Sequence, residues 1–369
     1  MTEIIDQIGS YPKEDVTFLL KDLSAVSIEK STEERERSIQ SGTHYSEMLP
    51  IEYKPTDEYM KLFYASLEDS KQKVALAAGA VAEQLFAKHG EHMVLCSLAR
   101  AGTPIGVLIK RYIKLKYHVS VPHYSISIIR DRGIDENALQ YMLKHHPDGK
   151  IAFIDGWTGK GAITKELNRS IEQFNQLWNT RLSSEIAVLA DPGDCADIYG
   201  TKEDFLIPSA CLNSTVSGLV SRTVLNEKWI GPDDFHGAKY YRELSEEDVS
   251  VFYIETIAAQ FPSICKEAER LAIGLQRARM KPAWDGLASI ETIRKQFGIS
   301  NTNLIKPGVG ETTRVLLRRV PWKILIQPGA EETLKHILLL AKDRGVPVEE
   351  YENMSYSCCG LIRPAEKSL

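Results

Sequence analysis

Apolar residues recur at helical spacing from Tyr59 to about Lys88 (Leu62, Ala65, Leu67, Val74, Ala78, Val81, Leu85, Phe86), which predicts two helices or one broken helix. Beyond this stretch, short apolar runs alternate with amphipathic ones. Met93-Val94-Leu95-Cys96 predicts a buried strand, Pro104 to Lys116 a helix, Tyr124 to Ile129 a strand and Asp135 to His145 a helix. Lys150 to Ile154 follows as a strand, Ala162 to Leu177 as a helix, and Ile186 to Ala190 and Asp204 to Ile207 as two more strands. This alternation implies the α/β class, a mostly parallel sheet flanked by helices on both faces. Ligands of such sheets sit beyond the carboxyl ends of the strands.

Residues 1–60 are polar and turn-rich, with the charge run Glu29 to Arg37 and then Gly42-Thr43-His44-Tyr45, and read as an N-terminal extension or hood packed on the sheet-forming region. Residues 61–283 hold the sheet and end in a long helical stretch, Val251 to Arg279. The chain changes character around Lys281-Pro282-Ala283-Trp284-Asp285, which marks a domain boundary. Residues 284–369 form a small α/β module, with helices at Glu311 to Arg319 and Ala330 to Arg344 and strands at Lys323 to Gln327 and Pro347 to Tyr351.

Composition narrows the function classes. At 369 residues, net charge −5, 43% apolar and 26% charged, the chain indicates neither disorder nor a global nucleic-acid field, so any RNA contact is a local patch. Met1 to Gln7 show no secretory signal, and no segment approaches the roughly 18 apolar residues of a membrane span. The cysteines, Cys96, Cys195, Cys211, Cys265, Cys358 and Cys359, lack zinc-type pairs and suggest neither metal site nor disulfide framework. A reducing cytoplasm fits.

Two segments carry candidate chemistry: Ser97 to Pro104 and Ile151 to Ala162 each run from an apolar strand into a small-residue loop that opens a helix. Such loops present backbone N–H groups to anions, so two of them suggest a ligand with two phosphate groups. Ser97, Ala99, Ala101 and Gly102 would line the first; Gly156, Trp157, Thr158, Gly159, Gly161, Ala162 and Thr164 would line the second, with Lys160 adding a charge. Between them, Tyr124 to Gly133 reads as a strand ending in the basic pair Arg130 and Arg132. Plain structure also fits: a strand-to-helix turn at Gly159 and Gly161, a helix start at Pro104, and a surface ion-pair cluster at Arg130-Asp131-Arg132.

This order of motifs resembles a type I phosphoribosyltransferase. The resemblance implies phosphoribosyl pyrophosphate held between the two loops, with Mg²⁺ carried mainly by that ligand. Asp155 would orient the ribose, while Arg100, Arg130, Arg132 and Lys160 would stabilise the charge of the leaving pyrophosphate. Gly156 stands where the family carries a second acid. Asp191, Ser209, Asn213, Ser214 and Thr215 fall where related enzymes receive the base or nucleoside-like acceptor.

Gly42 to Pro50, Ile154 to Gly161 and Leu212 to Gly218 resemble one bacterial family, the phosphoribosyltransferase-like proteins of tellurium-resistance and stress gene clusters, sometimes labelled cysteine protease StiP. The tail resembles the pelota-type RNA-binding fold: Gly308-Val309-Gly310-Glu311-Thr312-Thr313-Arg314 matches its signature, with Gly310 in place of an Asn. That implies RNA contact through Gly308, Glu311, Thr313, Arg314 and Arg318, with Arg319 beside them; a capped helix with a solvated basic face fits equally. The resemblance therefore gives a phosphoribosyltransferase acting with Mg²⁺ in a stress pathway, with RNA and a homodimer partner compatible. Two alternatives stay open, a nucleotide- or RNA-binding regulator without turnover and a cysteine protease using Cys211 and His236 with Asp233 or Asp234.

Overall fold

A computed structural model describes residues 8–363 apart from Arg279 and Arg319, so the readings placed on Met1 to Gln7, Arg279 and Arg319 lie outside the described residues. The central sheet is parallel throughout. Its strands are β1 (Thr17–Phe18), β2 (Met93–Leu98), β3 (His123–Ile126), β4 (Lys150–Trp157), β5 (Ile186–Ala190) and β6 (Ile198–Thr201), in the order β1-β3-β2-β4-β5-β6. Every residue of β2 and β5 is buried, as a sheet covered on both faces requires. The expected strand at Asp204 to Ile207 does not form. Ile198–Thr201 takes the edge instead, where Gly200 lets the backbone of Ala77 approach so closely that a Cβ would collide with its carbonyl.

The helices are α1 (Thr32–Gln40), α2 (Asp57–His89), α3 (Gly102–Tyr117), α4 (Glu136–His145), α5 (Ala162–Trp178), α6 (Ser250–Ala258), α7 (Phe261–Arg277), α8 (Asp285–Gln296), α9 (Gly308–Arg318) and α10 (Lys335–Asp343). α2 is unbroken over 33 residues, with Thr56 capping its start and Gly90 its end. Its Ala75 to Ala82 stretch is nearly all small side chains and buried apart from half-buried Leu76, so α2 lies close to the sheet on one side and to α7 on the other. The helical stretch expected from Val251 divides at Ala259-Gln260, because Pro262 lacks the N–H an uninterrupted helix needs and instead sits in the first turn of α7.

The hood is woven into the rest. Its β1 extends the main sheet beside β3, Lys21–Asp22 pairs with Gly237–Ala238, and Glu29–Lys30 pairs with Leu49–Pro50. In the C-terminal module β7 (Ile305–Pro307), β8 (Lys323–Ile326), β9 (Val348–Glu350) and β10 (Cys358–Leu361) form a second sheet in the order β7-β10-β8-β9. α9 lies across the carboxyl end of the main sheet. Val309, Leu316, Leu317, Ile324 and Ile337 belong to the same buried cluster as Val74, Ile105, Leu189 and Ala210, so one core crosses the boundary near residue 284.

Asp204 fixes the seat of α9. Its Oδ1 accepts from Val309 N–H (2.9 Å) and its Oδ2 from Ser357 N–H (2.8 Å), while burial pushes its carboxyl up to about 6. Asp155, at the carboxyl tip of β4, is held by Gly156 N–H (2.7 Å), and burial pushes it up to about 7.

Gly79 faces Tyr112, Ala268 and Ile264, with room for no side chain. Gly79→Leu should destabilise the chain by about 1–3 kcal/mol, read as a lower denaturant midpoint. Asp155 also makes stability depend on pH. An unfolded aspartate titrates near 4 and the folded one near 7, so the native state binds more protons in that window and stability falls as pH rises through it. Asp155→Asn should flatten that decline in melts run from pH 4 to pH 8; an unaltered pH profile would contradict the assignment.

Candidate functional site

The two expected phosphate loops meet at neighbouring strand tips. After β2 the Ala99–Arg100 peptide is cis, and Ser97 Oγ ties the loop from beneath, donating to Gly102 O (3.0 Å) and meeting His123 Nε2 (2.8 Å). Gly102 lies against Ile154 O and Asp155, and Gly156 against Ala101, so the loops touch through glycines that admit no Cβ or only a tight one. Arg100 is directed away from Asp155. Its Nη2 donates to Asn213 Oδ1 (3.0 Å) and its Nη1 to Val220 O (3.4 Å).

The second loop faces protein. Thr158 Oγ1 donates to Asp191 Oδ1 (2.6 Å) and accepts from Gly193 N–H (3.1 Å), while Gly159 O accepts from Tyr356 OH (3.0 Å). Lys160 Nζ donates to Thr302 O (2.8 Å) and Ile305 O (3.5 Å), and burial lowers it to about 8. The Trp284 ring covers Gly161 where a Cβ would collide with it. Ala162 begins α5, and Thr164 is buried on it. What remains between Trp157, Thr158, Asp204, Gly308 and Gly310 is a void of about 10 Å³, the size of one water. No phosphate fits there.

The start of α9 is likewise engaged. Gly308 sits at φ +81° beside Asp204, and Thr313 Oγ1 donates to Val309 O (2.7 Å) and meets His336 Nε2 (3.2 Å). Gly310, which stands in place of the signature's Asn, lies 3.4 Å from Ala210 and 3.8 Å from Trp157, measured from where its Cβ would be, so this position packs on the sheet domain. Gly308 and Thr313 thus face protein, whereas Glu311, Arg314 and Arg318 line a groove with Asn303 and Lys306.

Beside that groove lies a cavity of about 320 Å³ whose walls come from every part of the chain: Arg35 and Glu52 from the hood, Arg100 from the β2 loop, Asn213 and Arg222 from the later loops, and Arg314 and Arg318 from α9. Asn213 Oδ1 accepts from Arg100 (3.0 Å), Arg314 (3.0 Å) and Arg318 (2.7 Å). Glu52 Oε1 accepts from Ser214 N–H and Oγ. Of the residues expected at the acceptor, Asn213 reaches this cavity and Ser214 backs it through Glu52. Asp191 instead orders its own loop, accepting from Cys195 and Ala196 N–H, and Ser209 and Thr215 hold buried hydroxyls. Arg130 and Arg132 lie elsewhere: Arg130 reaches Asn303 and the Tyr45 ring, and Arg132 pairs with Glu47. Arg35, Glu52, Arg222 and Lys306 carry no motif that marks them in the sequence, although Arg35 lies within the charge run Glu29 to Arg37.

The expected Cys211–His236 pair does not form. Cys211 Sγ lies 3.8 Å from Ser66 Oγ, and burial pushes its thiol up to about 12. His236 Nδ1 meets Ser127 Oγ (2.8 Å), and its N–H donates to Asp135 (2.6 Å). Asp234 pairs with Lys21, so it orients no histidine.

Residues 9–258 match the family described as tellurite-like stress resistance cysteine protease StiP, and residues 284–364 match the PELOTA RNA binding domain. A protein named cysteine protease StiP from Acinetobacter baylyi (strain ATCC 33305 / BD413 / ADP1) is 35% identical over 351 residues, covering 92% of this chain and 90% of the relative. Among solved structures, the histidinol-phosphate aminotransferase from Clostridium acetobutylicum aligns over 95% of each chain at 13% identity and a TM-score of 0.23, too slight a likeness to argue from. The expectation of a phosphoribosyltransferase is overturned, since family and relative are named for cysteine proteolysis and the loop that was to hold the 5′-phosphate is filled by the C-terminal module. A match over most of the length and a relative at that identity place the chain together: it belongs to the StiP family of stress-resistance proteins, with a PELOTA-type module at its C-terminal end.

Proposed function

We propose that this StiP-family chain binds RNA through the groove of its C-terminal module. The observation that carries the reading is the set of cations along that groove, Lys306, Arg314 and Arg318 against the single acid Glu311, in the segment that matches an RNA-binding family. Arg130 lies close enough to Asn303 to extend the basic strip. A strip of this kind attracts backbone phosphate, and each neutralised phosphate steepens the salt dependence of binding. With an overall charge of −5, the attraction has to come from a local patch such as this one. Among the described residues no helix is long and apolar enough to cross a membrane.

A second reading is cysteine proteolysis, and the observation favouring it is the relative's name at 35% identity. Cys211 is the thiol next to the cavity in sequence, two residues before Asn213; burial raises it, and the Ser66 hydrogen bond and the Arg314 charge oppose that only in part. Helix α9 covers the turn Pro208–Ala210 just before it, so attack on a peptide would require α9 to lift.

Fluorescence anisotropy with a hairpin RNA should show Lys306→Ala and Arg318→Ala each weakening binding roughly threefold to tenfold and each lowering the salt slope by about one. Equal affinity and slope in both variants would remove the groove as the RNA face. For the thiols, iodoacetamide at pH 7.5 should label half-exposed Cys265 first and the buried Cys211 only on unfolding. Peptide cleavage that survives Cys211→Ala would eliminate Cys211 as a nucleophile.

A further inference from the structure

Guanidiniums outnumber carboxylates on the walls of the arginine cavity. Five guanidiniums line it, Arg35, Arg100, Arg222, Arg314 and Arg318, and Glu52 is the one carboxylate among the lining residues, with Glu311 acting on Arg314 from the adjoining groove. Three of those cations donate to one neutral atom, Asn213 Oδ1. An amide oxygen has two lone pairs and no net charge, so it neither satisfies three guanidiniums nor offsets their mutual repulsion. Glu52 Oε1 accepts from Ser214, and the Glu52 charge acts on Arg100 and Arg314. Arg222 donates through Nη2 to Tyr45 O and Met48 O, yet its buried Nε has no partner. Burial lowers Arg222 to about 10, with the Arg35 charge the next cause, and burial lowers Arg314 to about 10 against the opposing charge of Glu311.

Shape narrows the ligand. The cavity of about 320 Å³ is bounded by Leu49 and Pro50 of the hood and by Tyr241. It communicates with the groove of the C-terminal module, because Arg314 and Arg318 line both. An internal phosphodiester carries one negative charge and needs chain entering and leaving, whereas a terminal phosphate carries two or more on one end. Guanidinium forks suit such groups through paired hydrogen bonds.

We propose that this cavity binds the phosphorylated end of an RNA strand laid along the groove. The inference rests on the RNA-binding reading above. The same phosphate chemistry occurs on a free nucleotide, so the test separates the two sources.

The full chain is titrated by anisotropy with one RNA sequence carrying a 5′-triphosphate, a 5′-monophosphate, a 3′-phosphate or hydroxyl ends, and by calorimetry with GTP. A phosphorylated end should bind roughly tenfold more tightly than the hydroxyl form. Arg222→Ala should abolish that preference while keeping the hydroxyl RNA bound. Asn213→Asp places a carboxylate among the guanidiniums; it should raise the melting temperature and also abolish the preference, which no folding defect would mimic. Equal binding of all four RNAs overturns the proposal and leaves the RNA reading standing. GTP binding without any end preference assigns the cavity to a free nucleotide and overturns it too. Binding of none of the RNAs defeats both readings.

Discussion

The seating of α9 across the carboxyl end of the main sheet governs the rest of the molecule. Asp204 hydrogen-bonds both the first turn of α9 and the strand-leading residue Ser357, and Gly310 permits the helix to touch Trp157 and Ala210. In an open parallel sheet this end is where a ligand would sit. Here another part of the same chain occupies it. The consequence is a displaced site: charge that the strand tips do not use gathers beside them, around Asn213, where hood, sheet and C-terminal module meet.

Motifs that hold anions and motifs that dock protein share their local grammar. Gly159, Lys160 and Gly161 form the small-residue turn the sequence suggests, with a positive φ at Gly161 opening α5. What they face is a tertiary matter. Lys160 meets carbonyl oxygens of Thr302 and Ile305, atoms about 140 residues away in sequence, and Tyr356 donates to Gly159 from still farther along the chain. A cation and a set of polar groups that would serve a phosphate serve carbonyls and hydroxyls as well. This is why the resemblance located the loops yet misjudged their use.

The α/β class and the positions of the inner strands were legible because β2, β5 and most of β4 are buried and read as continuous apolar runs. The periodicity of α2 was equally plain, although it predicts two helices or one broken helix and the helix proves unbroken, and the helix expected from Asp135 to His145 is α4, with Asp135 as its cap. The edges were not. Thr17–Phe18 is too short to leave a pattern, and Gly200 and Thr201 disguise β6 while the apolar Phe205-Leu206-Ile207 serves as a bed for neighbouring elements. α8, β7 and β10 carried no signal that separated them from loop. At the cavity, Arg100, Asn213, Arg314 and Arg318 were visible as candidates, each for a different reason. Arg35, Glu52 and Arg222 are scattered along the chain with no spacing in common, so only folding brings them together.

The core that joins Val74 and Leu189 to Leu316 and Ile337 has an evolutionary corollary. A linker that merely tethered two bodies would let either be exchanged for an unrelated cassette. A continuous apolar interior forbids such shuffling unless the incoming piece brings a matching glycine for Trp157 and a matching N–H for Asp204. A substitution that alters volume on one side of this interior therefore calls for a compensating one on the other.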